Sequence, residues 1–117
     1  MPKRQGSTGA METSQFERLA DDTLARLQTA IEEAEGGLDV ELIGGILTIE
    51  TESGGKYLLN RHAPNRQIWL SSPVSGAWHF AWNADDQAWL STRGGERLED
   101  LLARELSEAT GEVIELE

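Results

Sequence analysis

The sequence predicts an α+β fold, a two-layer sandwich of two helices packed on one face of an antiparallel sheet of about six strands. Three observations predict it. Apolar residues recur with helical spacing only near the two ends of the chain, over about 14–35 and 97–110. Between them run short alternating segments, separated by Gly, Asn, Asp, Pro and Ser turn signals. Each alternating segment is apolar on one side only, so one sheet face needs cover and the other stands in water.

The first helix starts close to Ser14, where Ser14 and Glu17 have capping-box spacing. Its apolar stripe is Phe16, Leu19, Ala20, Leu24, Leu27, Ala30, Ile31 and Ala34, and Gly36-Gly37 is expected to stop it. About 22 residues at 1.5 Å rise make a rod of roughly 33 Å, long enough to span a small sheet. Leu38–Ile43 and Ile46–Glu52 form a hairpin across Gly44-Gly45, with Leu38, Val40, Leu42, Leu47 and Ile49 inward and Asp39 and Glu41 outward. Lys56–Asn60 follows, with Tyr57 and Leu59 inward. Arg61–Asn65 turns the chain into Gln67–Ser72, where Ile68 and Leu70 face the core and Gln67, Trp69 and Ser71 face out. Ala77–Asn83 places Trp78, Phe80 and Trp82 on one side and His79 on the other, and Ala88–Ser91 brings Trp89 inward. The second helix, about 97–110, buries Leu98, Leu101, Leu102, Leu106 and Ala109 and ends at Gly111. The alternating tail Val113-Ile114-Glu115-Leu116 is suited to a groove.

One domain is the natural count for 117 residues, assigned to 14–117 behind a small, polar tail at 1–13 expected to be disordered. The absence of cysteine excludes disulfides, a thiolate nucleophile and any thiolate-held zinc or iron–sulfur cluster on this chain. A net charge of -11, from 21 acidic against 10 basic side chains, argues against nucleic acid or an anionic membrane as partner. It favours basic protein surfaces or metal cations. No run of apolar residues reaches membrane-spanning length, and no charged-then-apolar leader is expected from residues 1–13. With Met11 as a candidate original start, the expected location is the bacterial cytosol, the alternative being a mature mitochondrial matrix protein.

The acids are unevenly placed. Asp21, Glu32 and Glu35 lie near one line of the first helix with Glu17 extending it, and Asp22 and Glu33 lie on the adjacent line. Glu32, Glu33 and Glu35 crowd the helix end that the macrodipole makes unfavourable for anions. Asp39 and Glu41 continue the strip onto the first strand. Carboxylates without thiolates or paired histidines suit hard cations such as Fe²⁺, Fe³⁺, Mn²⁺ or Ca²⁺. On a convex helix such sites are open, hydrated and weak, and the same strip would dock an arginine-rich surface. An acidic edge strand also serves simply to prevent edge-to-edge aggregation. Trp69, a large aromatic on an otherwise polar face, is a candidate anchor for a docking partner, with Asn60, Gln67 and His79 around it. His62 is expected in a turn. There is no phosphate loop, no G-x-S-x-G and no H-E-x-x-H, and Asp85-Asp86 reads as turn chemistry, so an enzyme is not expected.

The helix opening F-E-R-L-A-D (Phe16–Asp21), the hairpin G-G-I-L-T-I (Gly44–Ile49) and the block N-R-H-A-P-N-R-Q-I-W-L-S-S-P (Asn60–Pro73) together resemble the frataxin family. The similarity runs from Ser14 to about Glu115 in the family's order of elements. The resemblance implies an iron-binding accessory protein of iron–sulfur cluster assembly that binds the complex of cysteine desulfurase and scaffold protein and modulates sulfur transfer. It implies weak, transient iron binding along an acidic ridge. Carried over, the ridge is Asp21, Glu32, Glu33, Glu35, Asp39 and Glu41 with Glu17 and Asp22 nearby, and the partner-facing surface is Asn60, Gln67 and Trp69. The chain departs from the pattern at Gln28 and Thr29, where relatives often carry acids. His79 stands in place of a desulfurase-contacting arginine, and Arg97 where relatives favour a Ser or Thr cap. A monomer is expected. Two rival readings stay open: an iron store or weak ferroxidase that oligomerises with iron, and an acidic module for an unrelated basic protein.

Overall fold

The computed structural model describes residues 11–117. The expected disordered tail lies outside them except for residues 11–13, of which Thr13 is already helical. The elements are α1 (Thr13–Glu33), β1 (Asp39–Ile43), β2 (Ile46–Glu50), β3 (Lys56–His62), a single 3-10 turn (Ala63–Asn65), β4 (Gln67–Ser72), β5 (Gly76–Asn83), β6 (Ala88–Ser91) and α2 (Leu98–Thr110). All six strands form one antiparallel meander in chain order, as the succession of short turns requires. The helices supply the second layer. One core joins Phe16, Leu24, Leu27 and Ile31 of α1, the inward side chains Leu47, Ile49, Tyr57, Leu59, Ile68, Leu70, Phe80 and Trp89, and Leu101, Leu102 and Leu106 of α2. Ile114 and Leu116 of the tail lie in it too, while Val113 stands out in water.

Several local expectations are corrected by tertiary contacts. No capping box forms at Ser14: α1 begins at Thr13 behind Glu12, which makes no side-chain cap, and Phe16 N–H bonds the Glu12 carbonyl at 2.8 Å. Burial decides that start, because Phe16 is fully buried edge-on against Trp89, with ring centroids 6.1 Å apart. At its other end α1 stops at Glu33, before the glycines, so Glu35 belongs to the connection rather than the helix. Gly37 takes φ 71°, where a side chain is strained, and a Cβ there would also displace the Glu52 carboxylate, 2.5 Å away. On α2, Ala109 is exposed and Glu105 takes the buried position instead. Arg97 does precede α2 without a side-chain cap, and Gly111 closes it at φ 76°. In the β5–β6 turn Asp86 N–H bonds Asn83 Oδ1 at 2.9 Å, the expected turn chemistry.

Three buried polar groups hold the layers in register. Trp89 Nε1–H donates to Thr23 Oγ1 of α1 at 2.9 Å. Arg26 joins Glu99 at 2.8 Å and the Leu116 carbonyl at 3.2 Å, tying both helices to the tail. Glu105 accepts from Tyr57 Oη–H at 3.1 Å, Ser72 Oγ–H at 2.7 Å and Ser75 Oγ–H at 2.5 Å. Burial, and then the neighbouring Glu105 charge, push the Tyr57 phenol up from 10.0 to about 12. Because the folded-state value is raised, this stabilisation is complete below pH 10 and is lost as pH climbs through about 12. Tyr57 is the only tyrosine, so an ultraviolet phenolate titration reads it alone. The expected midpoint is about 12, with Tyr57→Phe removing the signal. A midpoint near 10 in the folded protein would show that the phenol is not buried against Glu105.

Candidate functional site

The meander turns one face of the sheet away from both helices, and that face carries two chemically distinct corners. At one corner, Asp39 on β1 lies opposite Glu50 on β2, and Glu41 lies opposite Thr48. These four residues and Val40 line a shallow depression of about 270 Å³. Glu50 was absent from the sequence-based strip. Counting register outward from the Gly44-Gly45 hairpin, with Ile43 opposite Ile46, would have placed it beside Asp39.

The rest of the strip follows the chain from α1 into β1. Asp22, Glu32, Glu33 and Glu35 are exposed, and Glu17 is half-buried. Asp21 is exposed but engaged, its Oδ2 accepting from Arg61 at 2.7 Å. Arg61 lies at the helix-covered side of β3, and Gly45 makes room for it: a Cβ there would lie 2.8 Å from the Arg61 Nε. An exposed pair of this kind is worth roughly 0–1 kcal/mol, so Asp21 contributes less free negative charge than its neighbours. Among the described residues, no three His, Asp or Glu side chains converge to hold a metal ion. The strip is a line of separate, hydrated carboxylates, an arrangement that attracts cations without enclosing one.

The other corner is aromatic. Asn60, Trp69 and His79 are direct cross-strand neighbours on β3, β4 and β5, and His62 pairs with Gln67 one step along. Trp69 does not lie bare on a polar face. Its indole is sandwiched between His62, with centroids 3.6 Å apart at 11°, and His79, 4.2 Å apart at 7°. Trp69 Nε1–H donates to Gln67 Oε1 at 2.8 Å, which fixes the ring's rotation. With both indole faces covered, a partner meets the edges of a three-ring slab and not an open aromatic face. His62, expected in a turn, is the last residue of β3 and one wall of that slab. Its Nδ1 is buried and has no hydrogen-bond partner among the described residues. The position of His62 two residues beyond Asn60 on the same strand face was the available signal. Asn60 folds its amide onto the Arg61 carbonyl at 3.1 Å and so stays low between neighbours.

No helix among the described residues is long and apolar enough to cross a membrane. The model of the Frataxin-like domain family matches residues 9–112 of the chain. The chain is 46% identical over 103 residues to the iron–sulfur cluster assembly protein CyaY of Thioalkalivibrio sulfidiphilus, covering 86% of this chain and 95% of that protein. Among solved structures it resembles the frataxin of Psychromonas ingrahamii, with a TM-score of 0.84 at 27% identity, covering 92% of this chain and 99% of that one. It also resembles the trimeric frataxin of the yeast Saccharomyces cerevisiae complexed with ferrous ion, with a TM-score of 0.71 at 34% identity, covering 92% and 94% respectively. The shared sequence, the two helices over a six-stranded antiparallel meander and the match over most of its length place this chain in the frataxin family.

Proposed function

We propose that this protein serves iron–sulfur cluster assembly by binding a cysteine desulfurase–scaffold complex and regulating sulfur transfer, and that it turns over no substrate of its own. The observation that carries this reading is the pairing of a carboxylate strip, running from α1 into β1 and β2, with an aromatic slab on the open face of the same sheet. The strip offers long-range attraction for a basic protein surface, and the slab offers short-range specificity. Support comes from a relative named as an iron–sulfur cluster assembly protein. In this reading Glu32, Glu33, Glu35, Asp39 and Glu41 face the desulfurase, with Glu17, Asp21 and Asp22 on the flank. Asn60, Gln67, Trp69 and His79 face the scaffold. Ferrous iron is carried weakly on the same acids, as a cargo held by water-mediated and monodentate contacts. A yeast relative is described with ferrous ion bound, which favours iron over other hard cations. The protein works in the bacterial cytosol as a monomer, without nucleic acid or membrane as partner.

The test is a backbone-amide and indole titration of the labelled protein, first with cysteine desulfurase, then with scaffold protein, then anaerobically with Fe²⁺. Desulfurase is expected to perturb the strip from Glu32 to Glu41, and scaffold protein to perturb Trp69 and Asn60. Replacing Glu32, Glu33, Asp39 and Glu41 by their amides is expected to weaken desulfurase binding at least tenfold at low salt, with a smaller loss at high salt. Iron shifts on the ridge with no response to either protein would refute the proposal.

An iron store or ferroxidase is the second reading, and the yeast trimer with ferrous ion is the observation that favours it. It requires iron-dependent oligomers and oxidation that disappears in the same amide variant. The absence, among the described residues, of three carboxylate or imidazole ligands converging on one point counts against a built oxidation centre.

A further inference from the structure

The open sheet face carries apolar side chains that neither the strip nor the slab accounts for. Ile43, Ile46 and Leu58 are 65%, 43% and 39% exposed. Isolated exposed aliphatics need no explanation, but these are contiguous. Ile43 and Ile46 are directly opposite across the β1–β2 hairpin, and Ile46 begins a cross-strand row that continues through Asn60 and Trp69 to His79. Leu58 lies in the next row on the same face, between Thr48 and Ser71. At about 4.8 Å between strands, Ile46 and Trp69 stand roughly 10 Å apart with only the folded-down Asn60 between them. One aliphatic side chain of leucine or methionine size fits between the two flanking side chains, above Asn60. The acidic pair Asp39 and Glu50 lies four residues along the same two strands, at roughly 3.3 Å per residue about 13 Å from the isoleucines.

We infer that Ile43 and Ile46 are aliphatic anchors of the protein contact made by this face. The partner complex presents an aliphatic side chain, from its scaffold side, between Ile46 and the edge of the Trp69 slab, and Lys or Arg, from its desulfurase side, about 13 Å away over Asp39, whose neighbour Glu50 already lies opposite Lys56. The inference rests on the sheet-face reading above and names the residues and partner chemistry that complete it. Charge selects this occupant over a second copy of the chain, which would bring a net charge of -11 and its own acidic corner to the contact.

The test titrates the full-length protein, Ile43→Ser/Ile46→Ser and Trp69→Ala against a purified cysteine desulfurase–scaffold complex, with circular dichroism to confirm folding. Sedimentation of each protein alone runs in parallel. Both isoleucines are exposed, so the fold is expected to survive; an Ile46→Val variant keeps the aliphatic contact and serves as the conservative control. The double serine variant is expected to bind at least tenfold more weakly, Ile46→Val within twofold of wild type, and the wild-type-to-variant ratio to hold between low and high salt. If the serine variant binds within twofold while Trp69→Ala loses tenfold, the anchors are refuted and the sheet-face reading stands. If neither variant loses affinity, the sheet-face reading fails and the inference with it. Self-association of the wild type that the serine variant abolishes, without change in complex binding, would assign the patch to a second copy and overturn the inference.

Discussion

Glu105→Ala is expected to destabilise the protein by about 3 kcal/mol. The carboxylate is only 6% exposed and carries no cation; its charge is held by three hydroxyl donors. Removing it strands Tyr57 Oη, Ser72 Oγ and Ser75 Oγ at once, and buried donors that lose an acceptor cost roughly 1–3 kcal/mol each. The same change leaves a void under the Ser72–Gly76 turn. That turn depends on Ser72, whose Oγ accepts from the Val74 and Ser75 amides at 2.9 and 3.0 Å. Ser75 Oγ in turn accepts from Trp78 Nε1–H at 2.8 Å, and Arg93 stacks on the Trp78 ring at 3.9 Å. Glu105→Gln keeps acceptor capacity for two hydroxyls and is expected to cost about 1 kcal/mol. Urea unfolding at pH 7 measures both. Midpoints for Glu105→Ala within error of wild type would show that the three hydroxyls find other partners and that α2 is not pinned to the turn.

Trp69→Ala is expected to leave the fold within about 1 kcal/mol of wild type while weakening binding to the desulfurase–scaffold complex by tenfold or more. Stability changes little because the indole sits on the open face, half-buried by two histidines, a glutamine and the sheet, and touches none of the fully buried core. Affinity changes much because the slab loses its middle member. His62 and His79 then stand about 8 Å apart, by the two stacking distances, with nothing to hold their planes parallel. Trp69→Phe separates the contributions: it keeps a stacking ring but cannot donate to Gln67, and it is expected to fall between wild type and alanine. Equal rates of cluster assembly for wild type and Trp69→Ala at limiting protein would remove the slab from the function.

Most of the architecture is legible in the sequence because it is written in local periods. The 3.6-residue recurrence from Phe16 to Ile31, the alternation at Val40, Leu47, Ile49, Tyr57, Leu59, Ile68 and Leu70, and the glycines at the hairpin and after α2 each report their element without reference to anything distant. The acidic strip is legible for the same reason: solvated charge requires no partner. What misled was also local. Ser14 with Glu17 has the spacing of a cap, and Ala109 the spacing of a core residue, but the burial of Phe16 sets the one and the side chain of Glu105 replaces the other.

The chain's own pattern therefore determines the element order, which face of each strand is covered, the sign and place of the surface charge and the family. Tertiary structure alone decides which polar residues are interior and what the open sheet face presents. Glu105 meets Tyr57 across 48 residues, Trp89 meets Thr23 across 66, and Arg61 takes Asp21 out of the strip across 40. His62 and His79 become walls of the Trp69 slab only when β3, β4 and β5 are in register. The physical reason is the range of the forces involved. Hydrophobic periodicity is a property of neighbours along the chain, while a hydrogen bond or a ring stack needs its partner within a few ångströms in a direction that only the folded sheet supplies.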